Sequence, residues 1–227
     1  MRILFLGMLL VVGMPAMAQL ALTGAGGIPS SPALTTPSLD GTSAAVVGSG
    51  TTVVMTLTTA QTNDVVNICI GLAGGNAISS ITDTAGLTWT QRYSNAGNFA
   101  EYYAVSAGAL ASDTITLTPN YGATAVTAQA FGVHGAKAGT PYDTNAGVPS
   151  FAAAASTTYS TTNPNDFVVG CYSSSGSATP APPSGFTQIG TPANYMSVSY
   201  QTTTSEQSGT TVTMPTSPNN AFVDAFQ

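Results

Sequence analysis

The stretch TITLT at residues 114–118 decides the fold class of this chain, because apolar and polar residues alternate along it with a period of two. Successive side chains of a β-strand point to opposite faces, so this period predicts a strand with one buried and one solvated face. The same alternation occurs over 53–58 and over 211–214. No window carries apolar residues at helical spacing between capping residues. We therefore expect an all-β protein.

The chain also repeats itself at an interval of about one hundred residues. A Cys follows five residues after an Asp in each copy, at Cys69 and at Cys171. The matching segments, in order, are NDVV (63–66) with NDFV (165–168), AGLT (85–88) with SGFT (184–187), and AQAF (128–131) with VDAF (223–226). Their shared order indicates two copies of one unit of about five or six strands, at about 50–134 and 155–227.

A unit of about 75–85 residues buries too little surface to be very stable alone. We therefore predict one antiparallel β-sandwich over residues 50–227, with about ten to twelve strands and internal pseudo-twofold symmetry. Jelly-roll-like and immunoglobulin-like topologies are both open, and two tandem sandwiches are the alternative architecture. Residues 19–49 are rich in Gly, Pro and Ser, and we expect them to be irregular apart from one short strand within 44–47.

Residues 1–18 have the pattern of a secretory signal peptide. A positive start at Arg2 precedes an apolar run over 3–12, and the small-residue sequence AMA occupies 16–18. The run is shorter than the ~20 residues that span a bilayer. We expect cleavage before Gln19, a secreted or cell-surface location and no membrane span afterwards. A buried N-terminal helix and a membrane anchor are the alternatives.

Charged residues are scarce, and this excludes several classes of function. The 227 residues include 9 Asp or Glu and 3 Lys or Arg, which is 5% charged, against about 25% in an ordinary soluble domain. Beyond the leader the only cations are Arg92 and Lys137, so the basic surface that nucleic acid requires is absent. Two Cys and one His make no zinc cluster. We predict no nucleic-acid partner, no metal and no cofactor.

Cys69 and Cys171 occupy equivalent places in the two repeats. In an oxidising compartment such a pair suggests a disulfide, which would close a loop of about 100 residues. Two buried free thiols that pack as small apolar groups are the alternative. The bridge requires both residues to lie near the pseudo-symmetry axis, with Cα atoms within roughly 7 Å.

Catalysis has little support among the remaining residues. His134 and Asp143 invite a Ser-His-Asp triad, but the chain has no G-x-S-x-G sequence. Glycoside hydrolysis needs two facing carboxylates, and Glu101 and Glu206 stand in unequal settings. We therefore predict no catalytic residues and no enzyme activity, with a secreted hydrolase as the least supported alternative.

The candidate ligand-binding residues are Trp89, Tyr102 and Tyr103. Aromatic side chains exposed on a sheet face can stack against sugars while a polar tip forms hydrogen bonds. Adjacent Tyr residues on one strand point to opposite faces, however, and Trp89 shares a face with Leu87, which favours packing. These residues define an alternative function, a carbohydrate-binding module for a surface glycan.

The order of several segments resembles a family of Ser/Thr-rich β-sandwich proteins of bacterial and phage genomes, mostly without assigned function. The segments are NDVV (63–66), SSITDTAGLTWT (79–90), EYYA (101–104), DTITLT (113–118), GTPYD (139–143) and VDAF (223–226). The resemblance spans about residues 50–227. It implies a fold, and it brings no catalytic residue with it.

The near absence of charge gives the leading functional prediction. Charged side chains on edge strands normally prevent pairing with other chains, and this chain has few of them. We expect a non-catalytic extracellular structural or adhesive protein on a cell surface, in a filament or matrix, or on a virion. Its partner would be itself, in a homo-oligomer or filament.

Overall fold

The computed structural model describes residues 35–95, 97–123, 126–174, 179–215 and 220–227. The predicted signal peptide lies outside these ranges. Within them the chain forms sixteen strands: β1 (Ser38–Thr42), β2 (Val46–Val47), β3 (Val53–Leu57), β4 (Asp64–Leu72), β5 (Ile78–Asp83), β6 (Thr90–Asn95), β7 (Phe99–Ser106), β8 (Asp113–Pro119), β9 (Val126–His134), β10 (Ser150–Ala152), β11 (Ser156–Tyr159), β12 (Phe167–Ser173), β13 (Thr187–Gln188), β14 (Met196–Thr202), β15 (Thr210–Thr213) and β16 (Asn220–Phe226). The prediction of an all-β protein is confirmed. No helix in the described ranges could cross a membrane.

All strand pairs are antiparallel, and they form four sheets. The first central sheet has the order β1-β9-β4-β7-β6, with β2 also paired to β9, and the second central sheet has the order β10-β16-β12-β14-β13. A three-stranded outer sheet, β3-β8-β5, and a two-stranded outer sheet, β11-β15, complete the structure. The strand count exceeds the expected ten to twelve, because each repeat folds an outer sheet back over its own central sheet.

Three apolar cores hold the four sheets together in a stack. The first core joins Met55 of the three-stranded sheet to Ile68 of the first central sheet. The second lies between the central sheets and includes Phe131 and Phe222, and the third joins the second central sheet to Val212 of the two-stranded sheet. The inner strands β4 and β12 of the central sheets are therefore buried on both faces, which explains why they lack the period-two pattern.

The internal duplication is visible in the strand orders. Strands β1, β9, β4, β7 and β6 of the first central sheet correspond in order to β10, β16, β12, β14 and β13 of the second. Likewise β3 and β8 correspond to β11 and β15. The first and last strands of each repeat are neighbours, as in a jelly roll, whereas the first two strands are neighbours in an immunoglobulin domain.

The N-terminal part of the described chain is more regular than the sequence predicts. Strand β2 falls within 44–47, where a short strand was expected, but β1 lies in a stretch that we expected to be irregular. It pairs with β9, for example Leu39 with Val133. Leu39 packs against the second core, and this burial favours the strand despite the Gly and Pro around it.

The two outer sheets differ by one strand. The match between 85–88 and 184–187 aligns β5 with residues 177–182, where the sequence from 179 to 183 is TPAPP. Proline has no N–H to donate to a neighbouring strand. The residues 179–186 accordingly contain no strand, and no counterpart of β5 occurs in the described part of the second repeat.

Candidate functional site: a buried carboxyl pair between the central sheets

Polar side chains gather in the second core, at the interface of the two repeats. They are Asn67 on β4, Arg92 on β6, Glu101 on β7, Tyr142 in the loop after β9, and Asp224 on β16. Asn67, Glu101 and Asp224 are completely buried. Buried charges persist only when they are paired and hydrogen-bonded, so this cluster is the clearest candidate for a site with chemistry.

A β-bulge places Arg92 in this cluster. The register between β6 and β7 shifts between Gln91 and Tyr93, which makes Arg92 the extra residue. Its Nε donates to Oδ2 of Asp224 at 2.8 Å, and its Nη2 donates to Oδ1 at 3.2 Å. The guanidinium carbon also lies 4.2 Å from the centre of the Tyr142 ring. Arg92 therefore joins the first repeat to the second through a bidentate ion pair.

Glu101 and Asp224 are neighbouring buried carboxyl groups, and each influences the pKa of the other. Burial, together with the charge of Asp224, raises the pKa of Glu101 well above its ordinary value. Burial also raises the pKa of Asp224, although Arg92 acts in the opposite direction. Two neighbouring buried carboxyl groups do not both ionise readily, so the pair holds one proton. One carboxylate and the Arg92 guanidinium then leave the cluster electrically neutral.

Asn67 completes the cluster on the side of the first repeat. Its Nδ2 donates to Oε1 of Glu101 at 2.8 Å and to the hydroxyl of Tyr142 at 2.9 Å. Tyr142 in turn makes an isolated bridge with Phe226 on β16. The amide therefore fixes one Glu101 oxygen, while the other, Oε2, has no hydrogen-bond partner among the described residues.

Gln129 is the counterpart of Asp224 in the first repeat, because AQAF at 128–131 matches VDAF at 223–226. Its Nε2 donates to the backbone oxygen of Ile189 at 2.8 Å. Each of these two residues thus reaches from the last strand of its own repeat to a group in the other repeat. The duplication supplies two equivalent connections between the repeats, one neutral and one ionic.

A second kind of carboxyl pair occurs once in each repeat, and one member lies at or directly before the start of the strand that carries the cysteine. Asp40 raises the pKa of Asp64, and Asp143 raises the pKa of Asp166. Asp64 and Asp166 are completely buried and lie 102 residues apart. Together with Glu101 and Asp224, six of the nine acidic residues are therefore paired with another acid.

In the pair of the second repeat, the pKa values of Asp166 and Asp143 are shifted in opposite directions. Burial, and then the neighbouring Asp143, raises the pKa of Asp166 to about 7. Burial alone would raise the pKa of Asp143, but N–H groups of Asn145 and Thr162 donate to it, at 2.7 and 2.8 Å, and lower it. Asp166 therefore carries the proton of the pair, and Asp143 carries the charge.

We expect the free energy of unfolding to fall as the pH rises from about 4 to about 7. Asp166 has a pKa of about 7 when folded and an ordinary pKa of 3.8, so over this interval the folded state holds a proton that the unfolded state releases. Rising pH then favours unfolding. Below about 4 the lowered pKa of Asp143 acts in the opposite direction. Urea unfolding at a series of pH values measures the effect.

Asp166→Asn tests the source of this slope. An amide is neutral without taking up a proton, so the variant should show a flatter slope and gain stability at pH 7. Glu206→Gln, at an exposed position, is the control and should leave the slope unchanged. A slope that Asp166→Asn does not alter would contradict the assignment.

The structure joins the two cysteines. Cys69 and Cys171 form a disulfide with their Cα atoms 6.3 Å apart. Both lie in the second core, on the central strands β4 and β12 of the two central sheets. The bridge therefore connects the two repeats through the middle of their interface.

The three aromatic candidates do not lie on one surface. Trp89 and Tyr102 pack against the first core, whereas Tyr103 packs against the second and contacts Tyr142 edge to face at 5.2 Å. Trp89 donates its Nε1 to Asp83 at 2.7 Å. The most exposed aromatic of the described residues is Tyr121, at 76%, which sequence reasoning did not single out. The sequence Asn-Tyr-Gly around Tyr121 is typical of a turn, and its exposure could have been predicted from this signal.

The residues considered for catalysis are not arranged as a triad. His134 is paired with Asp64 at 3.0 Å through Nδ1, and Asp143 belongs to the pair with Asp166. The two facing carboxyl groups are Glu101 and Asp224, whereas Glu206 is exposed in a loop. Sequence reasoning missed Asp224, although it is the only charged residue in the last strand.

Arg92 is the most exposed member of the cluster, with 23% of its side chain accessible to solvent. A shallow groove of about 460 Å³ passes over it, lined also by Tyr103, Pro141 and Asn145. A substrate in this groove would meet the guanidinium rather than the carboxyl groups beneath. The described residues contain no group of three or more His, Cys, Asp and Glu that could hold a metal ion.

Comparison of the chain with protein-family models, with curated proteins and with solved structures finds no match. The functional conclusion therefore depends on the chain's own residues and geometry.

Proposed function

We propose that this chain is a non-catalytic extracellular structural or adhesive protein that acts by associating with copies of itself. It would belong with the Ser/Thr-rich β-sandwich proteins of bacteria and phages that its segments resemble. The observation that carries the proposal is the uncharged outer surface of the two outer sheets.

Neither outer sheet presents a Lys, Arg or Glu on its strands. The strands β3, β11 and β15 carry only Ser, Thr, Tyr and apolar residues. Acidic residues occur only at the end of β5 and, buried, at the start of β8, as Asp83 and Asp113. Val54, 50% exposed on the edge strand β3, illustrates the surface. Charged edge residues are the usual protection against pairing with other chains, so these sheets favour association.

The central carboxyl cluster supports a structural rather than a catalytic role. Glu101 and Asp224 resemble an acid–base pair in composition, but both have 0% exposure. A general acid or base must lie within hydrogen-bond reach of its substrate. Each group instead binds residues of the interface between the repeats. The disulfide agrees with an oxidising, extracellular compartment.

Self-association predicts that the average mass in solution rises with protein concentration. Sedimentation and light scattering measure this directly, and electron microscopy distinguishes small oligomers from filaments. The main alternative, a carbohydrate-binding module, predicts a monomer that binds a glycan array and loses binding on Trp89→Ala or Tyr102→Ala. A monomer at every concentration would contradict the proposal.

A further inference from the structure

The outer edge of β15 has unpaired backbone groups. The N–H of Met214 donates to the oxygen of Ala155 at 3.0 Å, so the alternation of an antiparallel pair directs the N–H and C=O groups of Thr211 and Thr213 away from β11. Among the described residues these groups have no hydrogen-bond partner. The edge therefore offers two donors and two acceptors.

The first repeat shows what this edge can hold. Its counterpart strand β8 has β3 on one side and β5 on the other, with Thr82 opposite Thr116. In the second repeat the described part of the equivalent segment, which carries prolines at 180 and 182, forms no strand. Among the described residues the two-stranded sheet thus lacks the edge strand that its counterpart has.

The solvent exposure of the threonines on β15 agrees with an unpaired edge on this strand. Thr114 and Thr116, on the central strand β8, are half-buried, whereas their counterparts Thr211 and Thr213 are exposed. Thr56 on the edge strand β3 is exposed in the same way. Strand β15 therefore has the surroundings of an edge strand, although it corresponds to a central one.

We infer that β15 is the strand through which two copies of this chain associate. The inference rests on the proposed self-association and names its contact. The β15 strands of the two copies pair antiparallel and form one continuous four-stranded sheet, β11-β15-β15-β11. The addition of a strand to an exposed sheet edge is a common mode of protein recognition.

The free groups determine the register of this pairing. Thr211 lies opposite Thr213 of the second copy, and Val212 lies opposite Val212 of the second copy. Four backbone hydrogen bonds then form, two between each Thr211 and the facing Thr213. The exposed faces carry threonine opposite threonine, a favourable cross-strand pair.

A second copy fits this edge because the strand is complementary to itself. Strand β15 carries no charge that would select a partner of opposite charge, and none that would repel its own copy. The two residues with unpaired backbone groups, Thr211 and Thr213, are both threonine. A rotation of the strand by 180° about an axis through Val212 therefore presents the same row of groups to the second copy. This identity favours a closed, symmetric contact.

Thr213→Pro tests the inference. The substitution removes the outward N–H of residue 213 and leaves the hydrogen bonds between β11 and β15 in place. Each dimer loses two of its four hydrogen bonds, and we expect the dissociation constant measured by sedimentation to rise by about thirty-fold. Thr213→Lys, which introduces a charge without altering the backbone, should weaken association as well.

Thr90→Lys is the matched control, because it places the same charge at an exposed strand position outside the two outer sheets. It should leave the dissociation constant unchanged, and circular dichroism should show all variants folded. Association that survives both Thr213 variants would overturn the β15 contact while preserving self-association. A wild-type chain that remains monomeric would overturn both.

Cross-linking gives an independent readout. The Cα atoms of Thr211 and the facing Thr213 would lie about 5.5 Å apart, within the range for a disulfide. An oxidised mixture of Thr211→Cys and Thr213→Cys proteins should yield a covalent dimer, and neither variant alone should do so to the same extent. Equal cross-linking in all three samples would overturn the register.

Discussion

Replacing Arg92 by Met is expected to lower the free energy of unfolding by about 3 kcal/mol at neutral pH. The substitution removes the partner of Asp224, which has no exposure to solvent. Breaking a buried ion pair by deleting one member leaves an uncompensated charge, typically at a loss of about 3–5 kcal/mol. The lower end applies because Arg92 itself is 23% exposed. Urea unfolding at pH 7 measures the loss.

Two comparisons identify the cause of this loss. The double variant Arg92→Met, Asp224→Asn should recover part of the stability, because the remaining side chain is then neutral. The loss in Arg92→Met alone should also shrink in acid, where Asp224 can take up a proton. Lys137→Met removes an exposed cation and is the control. If Arg92→Met and Lys137→Met lower the free energy of unfolding by the same small amount, the buried ion pair does not contribute as described.

Replacing both cysteines by alanine should destabilise the protein by about 4–5 kcal/mol. The bridge joins residues separated by 102 positions, and in the chain-entropy model a closed loop of this length restricts the unfolded chain strongly. The expected result in urea is a lower midpoint for Cys69→Ala, Cys171→Ala than for the oxidised wild type.

Val198→Ala separates the effect of the bridge from that of packing. Val198 lies opposite Cys171 in the register of β12 and β14 and is completely buried. Its truncation removes more apolar volume than one Cys→Ala substitution, while the bridge stays intact. A double cysteine variant no less stable than Val198→Ala would show that the bridge adds little.

The strands could be predicted from the sequence wherever one face meets solvent. In strands β3, β8 and β15 apolar and polar residues alternate because the outer faces of these strands are exposed. The alternation seen at 114–118, at 53–58 and at 211–214 identifies the three strands. Strands β4 and β12 are buried on both faces, so periodicity does not describe them, and only their repetition at 63–72 and 165–174 reveals them. The four-layer stack could not be predicted, because nothing local shows which face of a strand meets the other repeat.

The candidate site was predictable only in part, for a related reason. The two cysteines share a position in the repeat, so the duplication pointed to both. Glu101 and Asp224 lie 123 positions apart in unrelated motifs, and only the register of the central sheets brings them together. Arg92 reaches them through a bulge, which alternation along β6 does not predict. Residues that become neighbours only through the register of strands distant in the sequence leave no signal in the local sequence.

The duplication places the contact between the two repeats inside one chain. A single repeat would expose the side of its central sheet that now forms the second core, including Val65 and Phe131. Such a repeat would need a second molecule to cover this face. In the present chain the other repeat covers it, and the disulfide between Cys69 and Cys171 links the two halves. The duplication thus turns a contact between two molecules into a contact within one chain, in which the equivalent positions Gln129 and Asp224 can carry different residues.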